Sequence, residues 1–433
     1  MRISVIGCGY LGAVHAACMA DLGHDVIGID VDAAKVQSLS AGRAPFFEPG
    51  LPELLERSLE SGRLRFSTEM AAAAGAAVHF VAVGTPQQAD SYAADLRYVD
   101  AAFEALVAVL SPGDLVVGKS TVPVGTAARL AELVEGAGAR LAWNPEFLRE
   151  GFAVKDTLSP DRLVYGVRGG DEASVADLDS VYAAALAADT PRVVTDFATA
   201  ELVKVAANAF LATKISFINA MAEVAEATGA DVTQLADAIG YDARIGRRFL
   251  NAGLGFGGGC LPKDIRGFMA RAEELGVDQA LEFLREVDAI NLRRRERMVD
   301  LAKEVCGGAV DGKRIAVLGL AFKPDSDDVR DSPALDVAAR LAELGAEVIA
   351  TDPEAIETSR RLRPGLHYVE SAEAAVTGAD AVLLLTEWKQ YRDLDPERLG
   401  SLVAVRAILD GRNCLDPAQW RAAGWTYRAL GRP

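Results

Sequence analysis

Cysteine and histidine are scarce in this chain, and neither is clustered. Five cysteines (Cys8, Cys18, Cys260, Cys306, Cys414) and four histidines are scattered through 433 residues, with no C-x-x-C pair. That spacing offers no metal site and no disulfide framework, and it suits a reducing, cytoplasmic compartment. Positive charge is short as well: 45 Lys and Arg stand against 62 Asp and Glu, a net charge of −17. Such a field argues against nucleic acid and anionic membrane as partners. An anionic ligand must then be held by local Lys, Arg or backbone N–H groups. Uninterrupted apolar runs long enough to span a membrane are missing too. The stretch Ile3–Ala20 resembles a secretory signal, but glycines, Tyr10 and His15 interrupt it. A strand–turn–helix accounts for those glycines and a signal peptide does not.

What is present is alternation. Short β-branched runs at Arg2–Ile6, Asp25–Asp30, Val78–Val83, Leu115–Lys119 and Arg140–Trp143 are separated by alanine-rich stretches. This predicts βαβ units on a parallel sheet. Near Thr195 the pattern changes. Thr199 to Thr228 predicts one long helix, apolar nearly all round and therefore buried between domains or at a subunit interface. Asp278 to Cys306 also reads as helical, with Arg293, Arg294, Arg295 and Arg297 expected on a solvated face. A second alternation begins at Lys313, with strands at Arg314–Leu318, Glu347–Thr351, Ala381–Thr386 and Ala407–Leu409. The expectation is an α/β chain with two doubly wound Rossmann-like domains joined by a long central helix and a helical middle domain. Boundaries are expected at 1–195, 196–305 and 306–433.

Gly7-Cys8-Gly9-Tyr10-Leu11-Gly12 follows the first strand and opens a helix. In such a fingerprint the first glycine makes the turn and the second admits a pyrophosphate. The third lets helix pack on strand, and the helix N-terminus holds the phosphates. Asp30, at the end of the second strand, is placed to accept from ribose hydroxyls and to repel a 2′-phosphate, which predicts NAD rather than NADP. Lys35 lies one helical turn further on, where it reaches the adenosine side or remains a solvated lysine. Two hydroxyl-bearing loops, Val83-Gly84-Thr85-Pro86 and Lys119 to Thr126, lie at C-terminal strand ends, where ligands bind in such sheets.

The loop Gly255 to Asp264 (G-F-G-G-G-C-L-P-K-D) carries Cys260 beside Lys263 and Asp264. An ammonium favours the nucleophilic thiolate, and glycines, Gly257 among them, admit a ligand close to the backbone. A buried cysteine in a turn is the alternative reading of the loop taken by itself.

Together these motifs resemble those of the nucleotide-sugar 6-dehydrogenases, the UDP-glucose/GDP-mannose dehydrogenase family, over nearly the whole chain. The resemblance rests on G-C-G-Y-L-G at Gly7, V-G-T-P at Val83, S-T-V-P-V-G-T at Ser120 and N-P-E-F-L-R-E-G at Asn144. It continues with K-V-A-A-N at Lys204, the Cys260 loop, G-L-A-F-K at Gly319 and D-x-R-D-S at Asp328. It implies a four-electron oxidation of a sugar C6 alcohol to a carboxylate by NAD, through a thiohemiacetal and a thioester on Cys260. By the same resemblance, Lys204 and Asn208 stabilise oxyanions, Asp264 and Glu150 handle protons and water, and Thr121 holds a water near C6. Thr85, Thr121, Glu150, Lys263 and Arg330 join the fingerprint residues around the cofactor. Glu146, Phe147, Leu148, Arg149, Glu150, Phe249, Leu250, Asn251, Gly257, Lys323 and Arg412 approach the UDP-sugar. Arg244 reaches it from a partner subunit, so a homodimer or larger assembly is expected.

Asp161-Arg162-Leu163 after Ser159-Pro160 favours the UDP-glucose branch, with GDP-mannose and UDP-N-acetylhexosamines as alternatives. A one-step hydroxyacid dehydrogenase would share the Rossmann domain and a helix bearing Lys and Asn. It would need neither the cysteine nor the second α/β domain. A nucleotide-binding protein that has lost its chemistry would not need Lys204, Asn208, Cys260 and Asp264 together.

Overall fold

Strands form where β-branched and aromatic residues run for four or five positions between glycine and polar breaks. The computed structural model describes all residues, Met1–Pro433, and its contacts group into two units. One is Met1–Ala207 with Arg266–Gly276, and the other is Asn208–Ile265 with Val277–Pro433.

The first unit is built on β1 (Arg2–Ile6), β2 (Asp25–Ile29), β3 (Leu64–Ser67), β4 (Val78–Val81), β5 (Leu115–Gly118), β6 (Arg140–Trp143), β7 (Leu163–Val167) and β8 (Arg192–Thr195). They form one eight-stranded sheet in the order β3-β2-β1-β4-β5-β6-β7-β8. The central strands are buried on both faces, which explains their continuous apolar runs. The pairing is parallel except between β6 and β7, where Ala142 opposes Val167 in antiparallel register. This corrects the fully parallel expectation: apolar runs disclose a buried strand but not its direction. The strands β3, β7 and β8 escaped the sequence pattern altogether.

The second unit holds β9 (Arg314–Leu318), β10 (Glu347–Thr351), β11 (His367–Tyr368), β12 (Ala381–Leu384), β13 (Ala407–Asp410) and β14 (Thr426–Ala429). The order is β11-β10-β9-β12-β13-β14, parallel throughout. Its core gathers Ile315, Val317, Val382, Leu383, Ile408 and the edge-to-face pair Trp420–Trp425.

The long helix runs from Phe197 to Thr228 as one element of 32 residues. It is not buried all round. Ala200, Ala212, Ile218 and Ala222 are fully buried, whereas Phe210, Phe217 and Val224, seven residues apart, are exposed at 67%, 48% and 54%. The helix is long and apolar enough to cross a membrane by length and composition, but 44% of that window is buried inside the protein. The helix Phe283–Val305 follows a short turn at Asp278–Leu281. Here a second expectation fails. Arg294 and Arg295 are buried, not solvated. Arg294 meets Glu226 and Arg295 meets Asp331 and Asp336, and these carboxylates replace the water each guanidinium gives up.

Candidate functional site

The fingerprint loop folds as its glycines require. Gly7 has φ +87°, and a Cβ on Gly12 would lie 1.8 Å from the Gly7 carbonyl oxygen. A Cβ on Gly9 would meet nothing within 4 Å, so the backbone there is open to an approaching group. The helix Tyr10–Asp21 starts at once, so its free N–H groups face that opening. Asp30 follows β2 and is buried. Its Oδ2 accepts from Cys8 N at 2.8 Å and its Oδ1 from Asp32 N at 3.0 Å. Lys35 Nζ bonds Oδ2 at 2.8 Å, so this lysine is held by the carboxylate and not simply solvated. The cradle fits a dinucleotide with free ribose hydroxyls.

The second unit repeats the geometry and then closes it. Asp352 follows β10 as Asp30 follows β2, and its Oδ2 accepts from Leu320 N and Ala321 N. The Trp388 indole N–H donates to the same oxygen at 3.1 Å. That carboxylate is saturated by the protein, so this turn lacks the acceptor a ribose needs. The missing G-x-G-x-x-G thus has a structural counterpart.

Two loops of the first unit carry further residues expected at the cofactor and the substrate. The Thr85 hydroxyl donates to the Thr121 carbonyl at 2.8 Å, and the Ser120 hydroxyl to Val83 O at 2.6 Å. Glu201, buried on the long helix, accepts from Gly125 N and Ala127 N, both at 2.7 Å. It caps the helix Thr126–Gly136 and fixes the end of the Ser120 loop. Burial pushes the Glu201 carboxyl up, against the lowering effect of those backbone donors. In the other loop, Glu146 Oε1 accepts from Phe147 N at 2.8 Å and Leu148 N at 3.0 Å, and Oε2 lies 3.1 Å from Lys119 Nζ. Glu146 therefore orders its own loop. Phe147 stacks under the Arg162 guanidinium at 3.8 Å, and Lys204 Nζ sits 5.6 Å from the same ring. Leu148 is half-buried, and Arg149 pairs with Asp156 at 2.7 Å. Glu150 is followed by Gly151, whose N–H donates to Glu48 Oε2 at 2.7 Å; Ala153 N donates to Glu48 Oε1 at 2.7 Å. The Tyr10 hydroxyl donates to the same buried carboxylate, which ties the fingerprint helix to the loop of Glu150. Burial, with Glu48 adding to it, pushes the Tyr10 phenol far above its ordinary range. Sequence reasoning did not single out Glu48, Lys119 and Glu201, whose bonds order these loops.

In the second unit, Cys260 is exposed and immediately precedes the helix Leu261–Glu274; its carbonyl accepts from Asp264 N at 3.0 Å. A thiol at a helix N-terminus is biased toward thiolate. Asp264 is buried, and its carboxylate joins two expected partners. Asn208 Nδ2 donates to Oδ2 and Lys263 Nζ to Oδ1, both at 2.6 Å. Lys204 and Asn208 stand four residues apart, so they share one face of the helix. The glycine loop admits no side chains on the protein side. A Cβ on Gly257 would meet the Asp331 carbonyl at 2.3 Å, and one on Gly259 the Arg330 guanidinium at 2.2 Å. Arg330 is further held by Asp328 at 2.7 Å.

Of the other expected substrate residues, Leu250 is buried. Phe249 adopts φ +66°, strained for a side-chain-bearing residue. Asn251 accepts from Arg247 at 2.8 Å, and Lys323 lies over the Phe322 ring. Arg412 spends its donors on the carbonyls of Leu385, Gly255 and Phe322, so it fastens the loops around the glycine turn. Arg244 extends outward, its side chain 88% exposed and paired with Asp242.

The remaining cysteines are built differently from Cys260. Burial pushes the Cys8 thiol up to about 12 and, with help from nearby carboxylates, raises Cys18, Cys306 and Cys414 as well.

Comparison with known proteins agrees with this layout. Residues 1–186 match the NAD binding domain of the UDP-glucose/GDP-mannose dehydrogenase family, 198–293 its central domain and 316–417 its UDP binding domain. A UDP-glucose 6-dehydrogenase of Rhizobium meliloti (strain 1021) is 41% identical over 438 residues, covering 100% of both chains. A UDP-glucose dehydrogenase structure from Pyrobaculum islandicum is 42% identical with a TM-score of 0.90, covering 100% of this chain and 98% of that one. The UDP-D-ManNAc dehydrogenase structure from Pyrococcus horikoshii shares the fold at 28% identity and a TM-score of 0.87, covering 100% and 99%. The chain described here belongs to the UDP-glucose/GDP-mannose dehydrogenase family and binds NAD through its N-terminal Rossmann domain.

Proposed function

We propose that this protein oxidises the C6 alcohol of UDP-glucose to UDP-glucuronate, with Cys260 as the covalent nucleophile. The observation that carries the reading is the cluster in which Lys263 and Asn208 both donate to Asp264, on the helix that Cys260 opens. A hydroxyacid dehydrogenase needs neither that cysteine nor a UDP binding domain. The sugar is assigned by similarity: identity to UDP-glucose enzymes is 41–42%, against 28% for the UDP-D-ManNAc enzyme.

NAD+ held at Gly7, Gly9, Tyr10, Leu11, Gly12, Asp30 and Lys35 supplies the hydride acceptance that a four-electron oxidation requires twice. The chain does the rest. Lys204 and Asn208 stabilise the C6 oxyanions. Cys260 Sγ bonds to C6 of the aldehyde to give a thiohemiacetal, whose oxidation leaves a thioester. Water then adds to the thioester carbonyl, and the C–S bond breaks to release the carboxylate and restore the thiol. Glu150 takes the proton of that water, Asp264 positions it with Asn208, and Thr121 holds a water near C6. Glu146 to Glu150, Phe249, Leu250, Asn251, Gly257, Lys323 and Arg412 frame the UDP-sugar. Lys263, Thr85 and Arg330 serve the cofactor side.

The functional segments are 1–195 for NAD, 196–305 for the cysteine loop and assembly, and 306–433 for UDP. The exposed Phe210, Phe217 and Val224 stripe pairs with a second copy, which places Arg244 across the interface. None of the five cysteines is in a disulfide, which suits the cytoplasm.

The test is purified protein with NAD+ and a panel of UDP- and GDP-sugars, followed by NADH absorbance. UDP-glucose should be consumed fastest and yield two NADH for each UDP-glucuronate. Preference for another sugar nucleotide, or one NADH per sugar, overturns the assignment.

A further inference from the structure

We propose that Lys119 is a positioning residue for the substrate loop, acting through Glu146; this rests on the reading of residues 146–150 given above. Lys119 follows β5 and Asn144 follows β6, two strands paired in register at Gly118 and Trp143. The two loops that leave this edge are the Ser120 loop and the Glu146 loop. Lys119 is the cation between them, and it is only 3% exposed.

Its ammonium is fully used. Nζ lies 2.9 Å from Asn144 Oδ1, 3.1 Å from Glu146 Oε2 and 3.3 Å from the Tyr182 hydroxyl. An ammonium has three N–H groups, so one is directed to each oxygen and none is left for a ligand. The rings of Phe80 and Tyr182 lie 5.7 Å and 5.9 Å from the same nitrogen. Burial, reinforced by Lys119, drives the His15 imidazole well below its ordinary value, and burial with Glu146 drives the Tyr182 phenol up. Glu146 is the one carboxylate within ion-pair distance of Lys119.

Glu146 passes the constraint on. One oxygen is held by the ammonium, and the other accepts from Phe147 N and Leu148 N. The carboxylate thus fixes the first two peptide groups of the substrate loop relative to the end of β5. Asn144 is locked by the same cation and by its own bond to Val164 O at 2.9 Å. On the cofactor side, Lys119 is followed by Ser120 and Thr121, anchored to Val83 and Thr85. Removing the ammonium would leave Glu146 as a poorly solvated, unpaired charge. The loop would then have to move toward water to hydrate it.

The experiment uses the full-length protein and three variants: Lys119→Met, which is close in shape, Glu146→Gln, and the two combined. UDP-glucose KM, kcat and NAD+ affinity by calorimetry are measured for each. Lys119→Met should raise KM for UDP-glucose about tenfold or more, with kcat within about threefold and NAD+ affinity within about twofold. Glu146→Gln should also raise KM. The double variant should match Glu146→Gln alone, because no unpaired carboxylate remains for Lys119 to satisfy. If Lys119→Met does not fold, the double variant, which leaves no unpaired charge at this site, carries the comparison. A lowered melting temperature with unchanged KM overturns the proposal. So does a double variant whose KM is the product of the two single effects. A parent enzyme that oxidises a different sugar nucleotide overturns the substrate assignment instead, and the same comparison is then read with that sugar.

Discussion

Asn208 Nδ2 donates to Asp264 Oδ2 at 2.6 Å, across 56 residues of sequence and inside a buried setting. The bond uses one of the two N–H groups of the Asn208 amide and fixes the amide plane, which leaves the second N–H for a reacting oxyanion. Lys263 holds the other carboxylate oxygen. Asp264→Asn keeps the volume but turns one acceptor into a donor, which faces either the Asn208 amide or the Lys263 ammonium. The expected result is a fall in kcat of about 100-fold or more, the scale of a lost acid–base or positioning group, with NAD+ affinity unchanged. Steady-state kinetics with parallel NAD+ calorimetry checks this. A variant with near-parental kcat would remove Asp264 from the mechanism.

In the proposed site, cofactor choice rests on the pair Asp30–Lys35: the carboxylate would repel a 2′-phosphate, and the ammonium beside it is held at 2.8 Å. Asp30→Ser removes the repulsion and releases Lys35 toward that phosphate. The ratio of kcat/KM for NAD+ over NADP+ should fall by about tenfold or more, roughly 1.4 kcal/mol of discrimination. The double variant Asp30→Ser/Lys35→Ala should give back part of the NADP+ gain. Equal use of both cofactors by the parent protein would contradict the role given to Asp30.

The legible parts of the site were those written locally. Gly7 to Gly12 and Asp30 declare a nucleotide turn because strand, turn and helix are consecutive in sequence, and Cys260 to Asp264 are consecutive across a loop end and the first turn of a helix. The supports were not legible because their partners come from afar. Glu48 meets Gly151 across 103 residues, and nothing in F-F-E-P-G announces that bond. Lys119 reads as an ordinary strand end until Asn144, Glu146 and Tyr182 fold against it. The run Arg293-Arg294-Arg295 looks like a solvated face by composition. Burial of its second and third members depends on Glu226, Asp331 and Asp336, which no periodicity places there.

The buried pair Arg294–Glu226 should be costly to break. Arg294 is 1% exposed, and Glu226 also accepts from Arg297 at 2.7 Å. Arg294→Met leaves the carboxylate with Arg297 and the Gly431 N–H and should destabilise by about 3–5 kcal/mol, the usual scale for stripping one member of a buried pair. The pH dependence has a definite sign. Burial pushes the Glu226 carboxyl up, but Arg294 and Arg297 more than offset this and hold it below its ordinary value. A lowered folded-state value contributes stability above the ordinary carboxyl range, and that contribution is lost as pH falls through it. Glu226→Gln should therefore flatten the fall in melting temperature between about pH 5 and pH 3. An acid limb unchanged in the variant would show that the pair adds nothing there.

The proposed assembly uses the stripe Phe210, Phe217 and Val224. Seven-residue spacing keeps these side chains on one line of the helix, and all three are exposed. Phe217→Glu introduces a charge at the middle of that line. Light scattering should show the parent as at least a dimer and the variant as a monomer with reduced activity. Arg244→Ala should keep the parental mass while raising KM for the sugar nucleotide. A parent that is monomeric and fully active at assay concentration would rule the interface out.

Cys260 separates covalent catalysis from a merely dehydrogenase-like fold. Its four sister thiols are held protonated: burial raises each of them, Cys8 to about 12, so little thiolate forms at pH 8. Cys260 is exposed at a helix N-terminus, and Lys263 adjoins the helix start. Iodoacetamide at pH 8 should therefore label Cys260 first, and UDP-glucose should protect it, as read by peptide mass spectrometry. Cys260→Ala removes the nucleophile and should lower turnover by several orders of magnitude while fold and NAD+ binding persist. Cys260→Ser keeps a hydroxyl whose ester hydrolyses slowly, so an adduct of the sugar nucleotide should accumulate on the intact protein. Full oxidation of UDP-glucose to the acid by Cys260→Ala, at near-parental rate, would end the covalent mechanism and leave Cys260 as a residue that only fills its turn.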